Sequence, residues 1–264
     1  MGAVPNILVF DSGLGGLTVF REIHRARPDA DYVYVADDAF FPYGEHDETR
    51  LAERVVPLMR DLIAAHAPDL VVIACNTAST LVLPQLRAQF KVPFVGTVPA
   101  IKPACSASKT RRVSVLGTEA TVKREYTRAL IRDFGQGCDV TLVGSARLAG
   151  FAEAALRGEA VNDDAITAEI APCFVDKDGG RTDTVVLACT HYPLLRAELE
   201  RLSPWPVDWV DPAPAIARRV IELAGPPGRG PRGSVRAVFT SRRPPVAGVA
   251  RALAAFGAVD PAAV

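Results

Sequence analysis

Val71-Val72-Ile73-Ala74-Cys75-Asn76-Thr77 has a near copy in Val185-Val186-Leu187-Ala188-Cys189-Thr190-His191. In each, a β-branched apolar run ends on a cysteine and passes at once to small polar residues that suit a helix start. Cys189 follows Cys75 by 114 residues (189 − 75), about the length of one domain. The pair predicts two similar halves, each offering a thiol at the end of a parallel strand.

Outward from these stretches, short apolar runs alternate with helical patterns. The expected strands are Asn6–Phe10, Tyr32–Ala36, Leu70–Ala74, Arg112–Leu116, Asp139–Val143, Thr184–Ala188, Val207–Val210 and Val235–Thr240. Between them, Gly16, Val19, Phe20 and Ile23 fit the i, i+3, i+4, i+7 template of an amphipathic helix. Leu51, Val55, Leu58 and Leu62 form a second stripe, with Pro57 predicting a kink or a restart. Val122, Tyr126 and Ala129 form a third, with Thr118 or Thr121 as its cap. Such alternation implies an α/β fold of mostly parallel sheets flanked by helices. Pro and Gly punctuate two crossings, Gly96–Pro103 and Ser203–Pro214, which divide the chain into 1–98 plus 208–264 as one domain and 99–207 as the other.

Composition narrows the class. The 264 residues carry 30 Lys+Arg against 30 Asp+Glu, so no net charge points to nucleic acid or to a membrane surface. No run reaches the roughly 18 apolar residues of a membrane span. The first residues lack the basic and then apolar order of a signal peptide. Five cysteines without a Cys-x-x-Cys favour reduced thiols over a disulfide framework or a structural zinc site. These features predict a cytoplasmic enzyme.

Ligands of open parallel sheets bind beyond the carboxyl ends of the strands. Cys75 and Cys189 are expected there, just before helix starts whose backbone N–H groups and dipole favour a thiolate. A single cysteine after an apolar run reads as a small buried hydrophobe; the repetition of the whole context argues for chemistry instead. Cys105, Cys138 and Cys173 lack that context and read as structural. Asp11-Ser12-Gly13-Leu14-Gly15-Gly16 ends the first strand and opens a helix, which suits close backbone approach to an anion. It is neither Gly-x-Gly-x-x-Gly nor a P-loop. Asp11 there either holds an ammonium group or proton network, or simply caps the helix. His24 and His66 read as surface residues. His191, two residues after Cys189, has the place to exchange protons with a thiol.

Taken together, Asp11-Ser12-Gly13, Pro42-Tyr43-Gly44, Ala74-Cys75-Asn76-Thr77-Ala78-Ser79 and Ala188-Cys189-Thr190-His191-Tyr192-Pro193-Leu194-Leu195 resemble the glutamate racemases of the aspartate/glutamate racemase family. Weaker matches at 96–104, 117–126 and Phe239-Thr240-Ser241 extend the resemblance over nearly the whole chain. The resemblance implies two α/β domains with the active site in the cleft between them, no cofactor and no metal. It further implies a homodimer that supplies D-glutamate for peptidoglycan. By the same resemblance Cys75 and Cys189 are the acid/base pair, and Asp11, Ser12, Pro42, Tyr43, Gly44, Asn76, Thr77, Thr190 and His191 line the substrate. Asp11, His191 and Glu153 would assist proton transfer. Two departures stand out. Ser145-Ala146-Arg147 replaces the usual Cys-Pro-Leu before Glu153, which then reads equally as a solvated helix glutamate. Asp38-Ala39-Phe40-Phe41 before Pro42 departs from the commoner Thr or Asn after the aspartate and Arg near Phe40.

Two thiols acting on opposite faces of one carbon are what a racemase without pyridoxal needs, since an amino-acid Cα–H is far less acidic than a thiol. The rivals are a racemase of aspartate or another acidic amino acid, a thiol hydrolase built on Cys189 and His191, and a two-lobed binding protein for a small anionic amino acid.

Overall fold

The computed structural model describes residues 4–135, 137–228, 230–257 and 262–263. In chain order the elements begin β1 (Asn6–Asp11), α1 (Leu17–Ala26), β2 (Asp31–Ala36), α2 (Glu48–His66), β3 (Leu70–Ile73), α3 (Asn76–Gln89) and β4 (Phe94–Gly96). There follow α4 (Ile101–Ala107), β5 (Arg112–Thr118), α5 (Glu119–Lys123), α6 (Glu125–Phe134), β6 (Asp139–Ser145), α7 (Leu148–Arg157) and α8 (Asp163–Ile170). A small hairpin, β7 (Asp176–Lys177) and β8 (Gly180–Arg181), precedes β9 (Thr184–Ala188), α9 (Arg196–Leu202) and β10 (Asp208–Val210). The last elements are α10 (Ala213–Ala224), β11 (Val235–Phe239), α11 (Ala247–Ala254) and β12 (Ala262–Ala263).

The chain divides into two compact units, Met1–Thr97 with Ala213–Val264, and Val98–Pro212. In the first, a parallel sheet runs β12-β11-β2-β1-β3-β4. Leu8, Phe10, Val71 and Ile73 on its strands pack with Leu51, Val55, Met59 and Leu62 of α2 and with Val82 and Leu86 of α3. These side chains are nearly fully buried, each contributing about 1.5–3 kcal/mol by leaving water. The second unit has its own parallel sheet, β10-β9-β5-β6. The two sheets share one strand order: β4-β3-β1-β2 corresponds to β10-β9-β5-β6. Cys75 and Cys189 therefore follow equivalent strands, β3 and β9. In both sheets the chain leaves its first strand in opposite directions, so the ligand-binding switch point lies at the carboxyl ends of β1 and β3 and of β5 and β9.

Several expectations need correction. The strand Asp208–Val210 pairs with β9 (Asp208 with Thr184, Val210 with Val186), so it belongs to the second unit's sheet although the sequence boundary puts 208 in the first domain. Pro57 does not restart its helix; α2 runs unbroken for 19 residues from an Asp47 cap whose side chain accepts the Arg50 N–H. The stripe Val122, Tyr126, Ala129 is split between α5 and α6 at Arg124, and Tyr126 is exposed because α6 turns it outward. Thr118 caps α5 by accepting the Thr121 N–H at 3.1 Å. His24 is buried among Phe20, Tyr32 and Phe256, because α1 carries apolar residues on both sides of its stripe. Burial holds its imidazole below the ordinary pKa, with Arg232 adding to the effect.

Candidate active site

In the first unit the carboxyl end of β1 is occupied by Asp11, which is fully buried. Its Oδ2 accepts the Gly16 N–H at 2.8 Å and the Gly13 N–H at 3.2 Å, so the carboxylate folds the Ser12–Gly16 loop around itself. Gly16 is required there: a Cβ would lie 2.6 Å from Asp11 Cβ. Cys75 is the residue before α3, and its Sγ donates to Ser12 Oγ at 3.5 Å, joining the ends of β1 and β3. Asn76 and Thr77 open α3 and are buried. Neither amide atom of Asn76 has a hydrogen-bond partner among the described residues. A buried amide left this way costs about 1–3 kcal/mol, which a ligand able to both donate and accept there would recover.

The loop after β2 brings Tyr43 into the same core cluster as Cys75. Its hydroxyl donates to Asp37 Oδ2 at 2.6 Å. Burial raises the Tyr43 phenol well above its ordinary value, and the Asp37 charge adds to this. Burial alone would raise the Asp37 carboxyl, but bonds from Arg54, Thr240 and Tyr43 together outweigh it and hold the pKa low. Pro42 and Gly44 flank Tyr43 and are half-buried.

In the second unit Cys189 follows β9 and is 6% exposed. No α-helix begins at once here; a short 3-10 turn, Tyr192–Leu195, precedes α9. The helix-dipole expectation therefore applies to Cys75 far better than to Cys189. What Cys189 has instead is an imidazole. His191 Nδ1 lies 3.8 Å from Cys189 Sγ, and His191 Nε2 lies 3.0 Å from Glu153 Oε1. Glu153 sits on α7, 7% exposed, with Arg157 Nη1 at 3.4 Å from its other oxygen. It is not solvated. Thr190, between Cys189 and His191 in sequence, is buried as well.

The structure thus gathers Asp11, Ser12, Tyr43, Cys75, Asn76 and Thr77 in one unit, and Cys189, Thr190, His191 and Glu153 in the other. A sequence profile of the Asp/Glu/Hydantoin racemase family matches residues 7–220. The chain belongs to this family. It is accordingly an isomerase. Among its relatives, the glutamate racemase of Sinorhizobium medicae is 56% identical over 95% of this chain and 93% of that one. That of Brucella anthropi is 55% identical over 95% and 91%. The crystal structure of Escherichia coli glutamate racemase, in complex with L-glutamate and the activator UDP-MurNAc-Ala, superposes with a TM-score of 0.88 at 39% identity, covering 99% of each chain.

Within this racemase fold the sequence reading overlooked Asp37, Arg54 and the part played by Thr240. A signal existed for the first: Asp37 follows β2 as Asp11 ends the neighbouring β1. Arg54 gave none, since a polar residue on an amphipathic helix ordinarily faces water. Cys173 is buried, its thiol pushed up to about 12 by desolvation. Cys105 is raised to about 12 by burial and by the adjacent Cys138. Both stay protonated and remain structural. Among the described residues no cluster is placed to hold a metal ion, and no helix is long and apolar enough to cross a membrane.

Proposed function

We propose that the chain interconverts L- and D-glutamate by a cofactor-independent two-base transfer of the Cα proton, with Cys75 and Cys189 on opposite faces of that carbon. One observation carries the reading: two sheets of the same strand order each set a buried cysteine within two residues of the end of the equivalent strand, beside a polar side chain able to exchange a proton with it. One cysteine as thiolate takes the proton from one face; the other as thiol delivers a proton to the opposite face. Reversal exchanges their roles, so no net redox change and no third reactant are needed.

The difficulty is the carbanion-like transition state. The amino end of α3 favours the substrate's carboxylate and the negative charge that develops next to it. Asn76 and Thr77 lie at that end, Asp11 suits the substrate ammonium, and Tyr43 and Thr190 add polar contacts. Proton transfer from positioned acids and bases contributes about 10²–10⁴-fold, and fixed dipoles in a site closed to water must supply much of the rest. The same reading makes this a cytoplasmic, homodimeric source of D-glutamate for peptidoglycan. The names of its relatives favour glutamate over aspartate as substrate.

Cys189, His191 and Glu153 by themselves also have the order of nucleophile, base and orienting acid found in thiol hydrolases. That reading leaves Cys75 without a role. The test is proton NMR of the protein with L-glutamate, and separately L-aspartate, in D₂O without added cofactor, alongside chiral analysis. Loss of the glutamate Cα signal with appearance of D-glutamate supports racemisation. No exchange with either substrate, or an acyl-enzyme mass adduct on Cys189, overturns it.

A further inference from the structure

The turn after β11 is fastened to the turn after β2. Thr240 N donates to Ala36 O at 3.0 Å, while Thr240 Oγ1 donates to Asp37 Oδ1 at 2.6 Å and accepts the Ala39 N–H at 3.3 Å. Ser241 holds the next residue through both of its donors, N to Asp38 Oδ1 at 2.9 Å and Oγ to Asp38 Oδ2 at 2.5 Å. The Asp38 carboxylate, with an acceptor on each oxygen, is what allows the two parallel bonds. Asp37, fully buried, passes the constraint on: its Oδ2 takes the Tyr43 hydroxyl at 2.6 Å and Arg54 Nε at 3.0 Å, and Arg54 Nη2 reaches its Oδ1.

We propose that Thr240 and Ser241 are positioning residues for the substrate loop 37–45, holding Tyr43 beside Cys75 through Asp37 and Asp38. This rests on the reading that Tyr43 and Cys75 meet the substrate. The Asp37 carboxylate has two oxygens and four donors, from α2, from Tyr43 and from the turn after β11. Arg54 and Tyr43 share Oδ2, so the orientation of the carboxylate sets that of the phenol. Without the Thr240 hydroxyl, Oδ1 keeps only Arg54, and the exposed Ala39 N–H exchanges its protein acceptor for water. The carboxylate is then free to turn within the guanidinium fork, and Tyr43 turns with it. The function belongs to the hydroxyl and not to the methyl group of Thr240, which separates positioning from packing.

The experiment measures kcat and KM for both enantiomers on the full chain, for the wild type, Thr240→Val, Thr240→Ser and Ser241→Ala. Free L- and D-glutamate are equally stable in water, so kcat/KM is the same in both directions and the split between KM and kcat carries the information. Thr240→Val is expected to raise KM about tenfold for both enantiomers with kcat changed less than about threefold. Thr240→Ser returns KM to within about twofold of wild type, and Ser241→Ala raises it about threefold. A Thr240→Val KM within twofold of wild type, or a serine variant no better than valine, overturns the proposal. Should Thr240→Val fail to fold, an unchanged KM in Ser241→Ala overturns it equally.

A second readout is independent of turnover. The Tyr43 ring resonance, assigned by its loss in Tyr43→Phe, is expected to shift in Thr240→Val and return in Thr240→Ser. An unmoved resonance overturns the positioning role. A wild-type protein that fails to racemise glutamate, with the resonance moving as expected, overturns the assigned reaction alone.

Discussion

His191 Nε2 stands 3.0 Å from Glu153 Oε1, two side chains 38 residues apart in sequence and each less than one-tenth exposed. In the tautomer that carries its proton on Nε2, His191 donates that N–H to Glu153 and faces Cys189 Sγ with Nδ1 at 3.8 Å. On the proposed two-base reading, the glutamate acts on the cysteine through the imidazole. Glu153→Gln keeps an oxygen for Nε2 but removes the charge, and kcat is expected to fall about tenfold; Glu153→Ala, which also frees the ring, about 100-fold. Chiral rate assays check both. A kcat within twofold of wild type in Glu153→Ala would leave Glu153 a buried residue without a part in proton transfer.

Either cysteine alone is insufficient for a two-base reaction. Cys75→Ala and Cys189→Ala are each expected to lose racemisation by at least about 10³-fold while leaving the fold intact. Turnover of L-glutamate near the wild-type rate by either variant would sink the scheme. Circular dichroism verifies that the variants are folded.

Asn76 separates stability from binding. Its amide is buried without partners among the described residues, so Asn76→Ala removes an uncompensated polar group. The melting temperature is expected to stay level or rise, while KM for glutamate rises about tenfold. A variant that melts lower with KM unchanged would mark Asn76 as a structural residue.

Gly16→Ala forces a Cβ to within 2.6 Å of Asp11 Cβ, 2.8 Å of its Cγ and 3.1 Å of Ala74 Cβ. None of these is the free end of a flexible chain, so the loop must shift. A loss of about 1–3 kcal/mol in denaturant unfolding is expected, with a larger fall in kcat/KM because Asp11 moves. Normal activity in a destabilised variant would show that the Asp11 position has slack.

His24 gives the protein an acid-sensitive core. Its folded-state pKa lies below that of the unfolded chain, so between these values the unfolded state binds more protons and stability falls as pH falls. The loss begins near the ordinary histidine value of about 6.5 and is complete below the folded pKa. His24→Phe keeps an aromatic ring against Phe20 and Phe256 and is expected to flatten this dependence. Melting temperatures at pH 7.5 and 5.5 settle the matter; equal pH dependence in both proteins would discard the explanation.

The strands were legible because runs such as Val185-Val186-Leu187-Ala188 are apolar at every position, as suits a parallel strand buried on both faces. The pairing of β10 with β9 was not, since a three-residue strand carries no sign of its partner. His24 was misjudged because helical periodicity gives the angle of a residue but not what the chain later lays over it. Here α1 is covered by α10 and Phe256, from more than 180 residues downstream. In the site, the cysteines and the loop at Asp11 showed in short-range pattern. The Asp37–Arg54–Thr240 cluster joins three distant segments through single polar residues, and no local pattern encodes such a meeting.

The discontinuity of the first unit sets an order of manufacture. β2 pairs with β11 along Val235–Phe239, and the Tyr43 loop is fastened by Thr240 and Ser241. A chain leaving the ribosome at about 5–20 residues per second exposes the whole of Val98–Pro212 before β11 has been translated. The half that carries Cys75 begins first and is completed last, waiting on a strand more than 230 residues from its start, while the half that carries Cys189 has every residue it needs well before.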